Sequence, residues 1–287
     1  MISLEEGILV TPDGISLHWN SWEPDSSIRG TVLLVHGYKE HSKRYGPVVE
    51  FLTGIGFRVV AYDQRGHGRS GGKPAFVSHF DDFLDDLEII LLKIGMDNPP
   101  GTPVILWGHS MGGLVALRYL QTRTYSVAGS IISAPWLKTN MKGSWFKLTL
   151  TKILEVPFRI ANIISPAVKV PVGIRPENLT RDLDIQQAYL KDSMVHKFVT
   201  PGLYWAASDA QKQLLNDPKS FRVPIVFLVP DEDLVVDSDT TLRFVACILG
   251  SGIELCILKG FRHEPHNEIK RDEVFSLINT WLDSNFS

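Results

Sequence analysis

Cysteine is scarce: 2 of the 287 residues, too few for a disulfide framework. Cys247 falls in a helical pattern and Cys256 in a strand-like run, which predicts two small buried hydrophobes. Long apolar runs are also missing. Uninterrupted ones such as 225–229 fall far short of the roughly 18 residues that a membrane-spanning helix needs. There is no excess of positive charge, since 29 Lys and Arg against 32 Asp and Glu leave −3. Phosphate backbones call for a basic face, so nucleic acid is not expected as a partner. Residues 1–10 contain two Glu and no basic stretch followed by an apolar core, so no signal peptide is read there. No repeat or low-complexity tract is visible, which argues against solenoids. What remains is the expectation of a soluble, reduced, cytoplasmic protein. Apolar residues make up 44% and charged residues 21%, enough to bury a core and to exclude disorder as the main state.

The patterning alternates strands and helices. Residues 7–11 and 16–23 read as a hairpin around Pro12-Asp13-Gly14, a turn-forming cluster. Residues 31–36, 57–62, 103–107, 127–133, 224–229 and 253–258 are short apolar runs of the kind buried on both sheet faces. Helical periodicity fills the gaps near 45–53, 80–92, 114–121, 238–248 and 268–283. In the second of these, Phe80, Phe83, Leu84, Leu87 and Leu91 form the inner stripe, which puts Asp81, Asp82, Asp85, Asp86 and Glu88 outside. The expected class is α/β, with a mainly parallel central sheet and helices on both faces. The rhythm breaks from about Ala134 to Val223. We therefore expect a core of residues 1–134 and 222–287, with a mostly helical insertion over 135–221 above the sheet's C-terminal edge.

The strongest local signal is Gly108-His109-Ser110-Met111-Gly112-Gly113. It fits G-x-S-x-G, in which a serine sits on a sharp strand-to-helix turn, and here a strand precedes it and a helical run follows. Small neighbours leave room for a strained backbone at Ser110, and the helix N-terminus brings free N–H groups and a positive dipole end. Serine is a weak nucleophile without a base. Of nine His, His263 lies just beyond the last strand, where α/β folds carry their sites, while His266 sits further on. A zinc reading of this segment fails, because H-E-x-x-H from His263 requires His where Asn267 stands, and Pro265 breaks the helix. The base needs an acid to hold its tautomer. Asp231, Glu232 and Asp233 follow a strand, and Asp233 leads into Leu234-Val235-Val236, whose packing can fix it. Asp233 is the first choice and Asp231 the second. Two backbone donors are needed for an oxyanion, and we assign Met111 and Tyr38, with Gly37 allowing the tight turn at 36–38.

One decoy is set aside. Gly66-His67-Gly68-Arg69-Ser70-Gly71 satisfies G-x-G-x-x-G, but Lys73-Pro74 stands where the helix should begin and no acidic strand end follows at the required distance. No dinucleotide, metal or other cofactor is expected. The loop Asp63-Gln64-Arg65-Gly66-His67-Gly68 is expected to border the site.

Together these segments resemble the α/β-hydrolase superfamily, and within it the branch of monoacylglycerol lipases and lysophospholipases grouped with serine aminopeptidases. The resemblance is carried by His36-Gly37-Tyr38-Lys39-Glu40-His41-Ser42-Lys43-Arg44-Tyr45, by 63–70, by 108–113, by Asp233-Leu234-Val235-Val236, and by His263-Glu264 with Asn267-Glu268. Within the insertion it is carried by 179–182, 188–192 and 195–196. It implies an ester hydrolase with a helical cap over a lipid-shaped pocket. It also implies a triad of Ser110, Asp233 and His263, with oxyanion donors at Tyr38 and Met111. Glu40 and Arg44, four residues apart, read as a structural brace; in the family they border the polar end of the site, so with Gly37 they are candidate substrate contacts. Tyr38 is bulky where the family often has a small residue, Lys39 stands where Gly is common, and Arg262 precedes the histidine where an aromatic is frequent.

The apolar stretch 144–170 carries Trp145, Phe146 and Leu150 on one stripe and Phe158, Ile160, Ile163 and Ile164 on another. Its charges are Lys147, Lys152, Glu155, Arg159 and Lys169. An apolar helix face with basic flanks suits an interface, so Trp145, Phe146 and Leu150 are candidate acyl-contacting residues, and the cap a candidate for transient membrane or micelle contact. Alternatives are a small-ester carboxylesterase, an amidase or aminopeptidase on the same triad, and a non-catalytic ligand-binding receptor on the same fold.

Overall fold

The computed structural model describes residues 3–124, 127–140, 157–218, 221–248 and 252–286. Strands β1 (Ser3–Val10) and β2 (Ser16–Glu23) form the N-terminal hairpin, paired antiparallel. The remaining main-sheet strands are β3 (Gly30–Val35), β4 (Phe57–Tyr62), β5 (Val104–His109), β6 (Gly129–Ser133), β9 (Ile225–Pro230) and β10 (Ile253–Leu258). The eight strands lie in the order β1-β2-β4-β3-β5-β6-β9-β10. Every pair from β4 to β10 is parallel, as the alternating pattern predicts.

The six-residue runs of β3, β4, β5 and β9 are buried throughout. Successive side chains point to opposite faces, so each strand serves two apolar layers. Val32, Leu34, Ile105 and Trp107 face α1 (Gly46–Gly54) and α8 (Arg271–Asn285). Leu33, Val35, Leu106 and Phe227 face α2 (Asp81–Asp97), α3 (Met111–Thr122) and α7 (Ser238–Ile248). Between β6 and β9 the chain leaves the sheet. It forms α4 over 157–164, the two-residue strand β7 (Val170–Pro171), α5 (Leu183–Lys191), β8 (Phe198–Val199) and α6 (Pro201–Asn216). β7 and β8 pair into a small ribbon that the sequence pattern does not signal, being too short to alternate. Among the described residues no helix is long and apolar enough to cross a membrane.

Three expectations are corrected. Asp86 is fully buried on α2, because Arg65 grips it through Nε and Nη2 at 2.7 and 2.6 Å. Cys247 is exposed and Cys256 only half-buried, since Cys247 lies on the outer side of α7 and β10 is an edge strand. The last helix starts at Arg271, with a 3₁₀ turn at Pro265–Asn267 before it. Trp145, Phe146 and Leu150 lie outside the described residues.

Removing one member of a buried ion pair leaves the other uncompensated, at a cost of about 3 kcal/mol or more. Asp13 offers Arg65 a second carboxylate at 2.9 Å, but it sits at the protein's surface. Asp86→Ala should therefore lower the unfolding free energy by about 3 kcal/mol in a urea titration. A loss below about 1 kcal/mol would mean that the pair behaves like a surface contact.

Candidate active site

The turn from β5 into α3 forces Ser110 into φ 53°, ψ −115°, a region costly for a residue with a Cβ. Its N–H donates to Ser133 O at 3.0 Å and its carbonyl accepts from Trp136 N–H at 2.9 Å, so the backbone is held on both sides. A Cβ on Gly112 would run into the carbonyl oxygens of Val35 and His36; only glycine lets α3 start this close to β3. Gly37 is crowded by side chains rather than backbone, since a Cβ there would stand 3.2 Å from the Ser110 Cβ and 2.7 Å from Glu40 Oε1.

Two distant segments converge on Ser110. Its Oγ lies 3.0 Å from His263 Nε2, and His263 Nδ1 lies 2.7 Å from Asp233 Oδ2. A carboxylate only accepts, so the Nδ1 proton faces Asp233 and Nε2 is left to accept from the serine hydroxyl. The other Asp233 oxygen accepts from Val235 and Val236 N–H at 2.7 and 2.9 Å. All three side chains are buried. Asp231 is exposed and takes the Gly260 N–H at 2.7 Å and Lys259 Nζ at 3.4 Å. His266 is buried in ring contact with Tyr45 and His109, centroids 4.8 and 4.9 Å apart, and burial pushes its pKa down to about 4. Among the described residues neither the Tyr38 nor the Met111 N–H donates to another protein group. Met111 opens α3, where the first N–H groups have no partner within the helix.

Glu40 and Arg44 meet at 2.6 Å. Arg44 also grips Glu264 with two N–H···O contacts of 2.8 Å, a bidentate arrangement. The other Glu40 oxygen accepts from Gly37 N–H at 2.6 Å and Tyr45 hydroxyl at 2.8 Å, so this carboxylate braces the turn that carries Tyr38. Burial pulls the His263 pKa down, but the charge and hydrogen bond of Asp233, with the charges of Glu264 and Glu40, leave it above its ordinary value. Burial pushes the Lys39 ammonium down to about 8. Its Nζ donates to Val172 O in the segment after β7.

Sequence reasoning did not single out Trp136, whose N–H holds the Ser110 carbonyl and whose ring stacks on Tyr38, centroids 6.0 Å apart. Its position just past the end of β6, where parallel sheets gather their functional residues, was the available signal. The pairing of Arg44 with Glu264, 220 positions away, had none. Among the described residues no group of three or more His, Cys, Asp or Glu is placed to hold a metal ion.

Residues 26–270 match the family described as serine aminopeptidase, S33. The chain is 28% identical over 277 residues to a monoacylglycerol lipase of Mycolicibacterium smegmatis, covering 94% of each chain. It is 32% identical over 280 residues to the monoglyceride lipase of Mus musculus, covering 96% of this chain and 89% of that one. The crystal structure of a soluble variant of Saccharomyces cerevisiae monoglyceride lipase in complex with a substrate analogue superposes with a TM-score of 0.87. It is 23% identical and covers 100% of this chain and 96% of that chain, a likeness that shows the fold.

An NMR titration of the His263 imidazole should give a midpoint above the free-histidine value of about 6.5. Asp233→Asn should lower it, because the substitution removes the charge that stabilises imidazolium. A midpoint that does not move in the variant would contradict the electrostatic coupling of the pair.

Proposed function

Because the chain belongs to the serine aminopeptidase S33 family of α/β-hydrolases, we propose that it is a serine carboxylic-ester hydrolase acting on monoacylglycerols or lysophospholipids with medium or long acyl chains. The observation that carries this reading is the continuous contact from Asp233 through His263 to Ser110 at a strained strand-to-helix turn. Relatives named monoacylglycerol lipase and phospholipase support the substrate class.

In this mechanism Ser110 Oγ attacks the ester carbonyl as its proton passes to His263 Nε2. Asp233 holds the imidazole in the required tautomer and stabilises the imidazolium. The Tyr38 and Met111 N–H groups receive the oxyanion, each donor contributing about 3 kcal/mol to the barrier reduction. His263 then protonates the departing alcohol, leaving an acyl-Ser110. Water, deprotonated by His263, attacks that ester and releases the carboxylic acid. Residues 135–221 act as the cap over this centre. On α4 within that cap, Ile160, Ile163 and Ile164 are 49%, 82% and 78% exposed, beside the cationic Arg159 and Lys169. Exposed apolar side chains with basic flanks suit a lipid–water interface, which the cap touches transiently to collect its substrate.

Ser110→Ala should abolish turnover while leaving the fold intact; loss of a triad serine has cost on the order of 10⁶ in kcat in a serine protease. Activity above about 1% of wild type would contradict the assignment, since a residue required for the covalent step cannot be so dispensable. Asp233→Asn should cost at least about 10³-fold, and Asp231→Asn less than about tenfold. Because only neutral His263 can accept the serine proton, kcat/KM should rise with pH through an apparent pKa above the ordinary histidine value.

The lipid part of the reading has its own tests. Each methylene buried should add about 0.8 kcal/mol of binding, so kcat/KM should climb over the first several acyl carbons. Ile163→Asp combined with Ile164→Asp should weaken co-sedimentation with phospholipid vesicles and spare hydrolysis of short soluble esters. Equal vesicle binding by the double variant and wild type would reduce the cap to a structural element.

A further inference from the structure

We propose that the side chain of Tyr38 sets the upper limit on the acyl chains this site accepts. The inference rests on the proposed ester hydrolysis and assigns a specificity role to a residue whose backbone that mechanism already uses. If the Tyr38 N–H receives the oxyanion, its side chain leaves the backbone beside the reacting carbonyl. There it does not fold back onto its own turn. It crosses to the cap, where its hydroxyl donates to Phe198 O on β8 at 2.8 Å. Its ring stacks on Trp136 at 6.0 Å with an interplanar angle of 20°, and meets the edge of His67 at 5.9 Å. Trp136 in turn hydrogen-bonds the Ser110 carbonyl through its N–H. That bond is made by the Trp136 backbone, while its indole Nε1 donates to Thr139 Oγ1 at 2.9 Å; the stacked pair thus rises from two loops whose backbones adjoin Ser110.

The chemistry on the two sides of the turn says which arm of an ester meets them. Tyr38, Trp136 and Phe198 all pack against the apolar layer that contains α3 and α6. Glu40, two residues after Tyr38, turns to the charged cluster with Arg44 and Glu264 and to Tyr45 of the opposite layer. The polar alcohol arm suits the charged side. The acyl arm suits the aromatic side, where it meets the Tyr38 ring.

The ring is held in place. Lys39, with φ 70°, donates from Nζ to Val172 O, and its own carbonyl accepts from His196 N–H at 3.0 Å. Together with the Tyr38 hydroxyl these bonds tie the turn to the segments around β7 and β8. Stacked on Trp136 and edged by His67, the ring is wedged even apart from its hydroxyl tie, so acyl carbons beyond the length that fits before it are excluded rather than accommodated.

The test is kcat/KM for p-nitrophenyl esters and 1-monoacylglycerols from C4 to C16, reported as the C16:C8 ratio. Tyr38→Ala should raise this ratio by about tenfold or more, since a single methylene that gains or loses its pocket changes discrimination by 10–200-fold. Tyr38→Phe keeps the ring and should stay within about threefold of wild type, well under that range. Trp136→Ala opens the same passage from its other wall and should shift the ratio in the same direction, which keeps the test alive if Tyr38→Ala fails to fold. An unchanged ratio in the alanine variants overturns the proposal. So does an equal shift in Tyr38→Phe and Tyr38→Ala, which would trace the effect to the hydroxyl tie instead of the ring. Labelling of Ser110 by a fluorophosphonate in every variant separates the two readings. A labelled enzyme with an unchanged ratio defeats the Tyr38 assignment alone, whereas a wild type that neither labels nor turns over any ester defeats the hydrolase reading.

Discussion

The backbone of Ser110 is the constraint on which the rest of the site depends. A residue with a Cβ at φ 53° costs on the order of 1–3 kcal/mol and persists only when its surroundings over-determine it. They do so here from four directions. β5 fixes the approach; α3 begins at the next residue; β6 accepts the Ser110 N–H; and Trp136 donates to its carbonyl. The absence of a side chain at Gly112 allows α3 to abut the end of β3. The same approach brings the Gly37 turn up against the Ser110 Cβ, beside the start of α3. The strain and the two proposed oxyanion donors are thus one piece of geometry.

Charge is arranged around that geometry in two tiers. The inner one is the Asp233–His263 contact, in which backbone N–H groups of Val235 and Val236 keep the carboxylate in place. The outer one is the buried Glu40–Arg44–Glu264 cluster, where one guanidinium is shared by two carboxylates. One cation against two anions leaves a negative excess that favours protonated His263. Through its bond to Gly37 N–H, Glu40 also fixes the turn that carries Tyr38. A cluster readable as a plain structural brace therefore bears on both the proposed base and the proposed oxyanion side.

What could be read from the sequence was what is local. The strand–serine–helix junction occupies consecutive residues, and the parallel sheet declares itself in runs apolar on both faces. Asp233 was separable from Asp231 because a buried Val236 pulls its loop inward, while Asp231 points to Lys259 at the surface. What escaped was set by partners far along the chain. Asp86 follows helical periodicity as an outer residue and is nevertheless buried, because Arg65, 21 positions earlier, supplies the counter-charge. Cys247 looks like a core residue by type, but its helix turns it outward. The β7–β8 ribbon has two residues per strand, too few for any period to show. The stacking of Tyr38 on Trp136 joins two loops that no sequence pattern links.

The central claim is that Ser110 forms a covalent acyl intermediate, and trapping that species tests it most directly. Enzyme mixed with a monoacylglycerol and quenched in acid within the first turnover should gain one acyl mass by intact-protein mass spectrometry, and peptide mapping should place it on Ser110. Turnover with no acyl mass on the protein, or with the acyl group on another residue, would contradict the account.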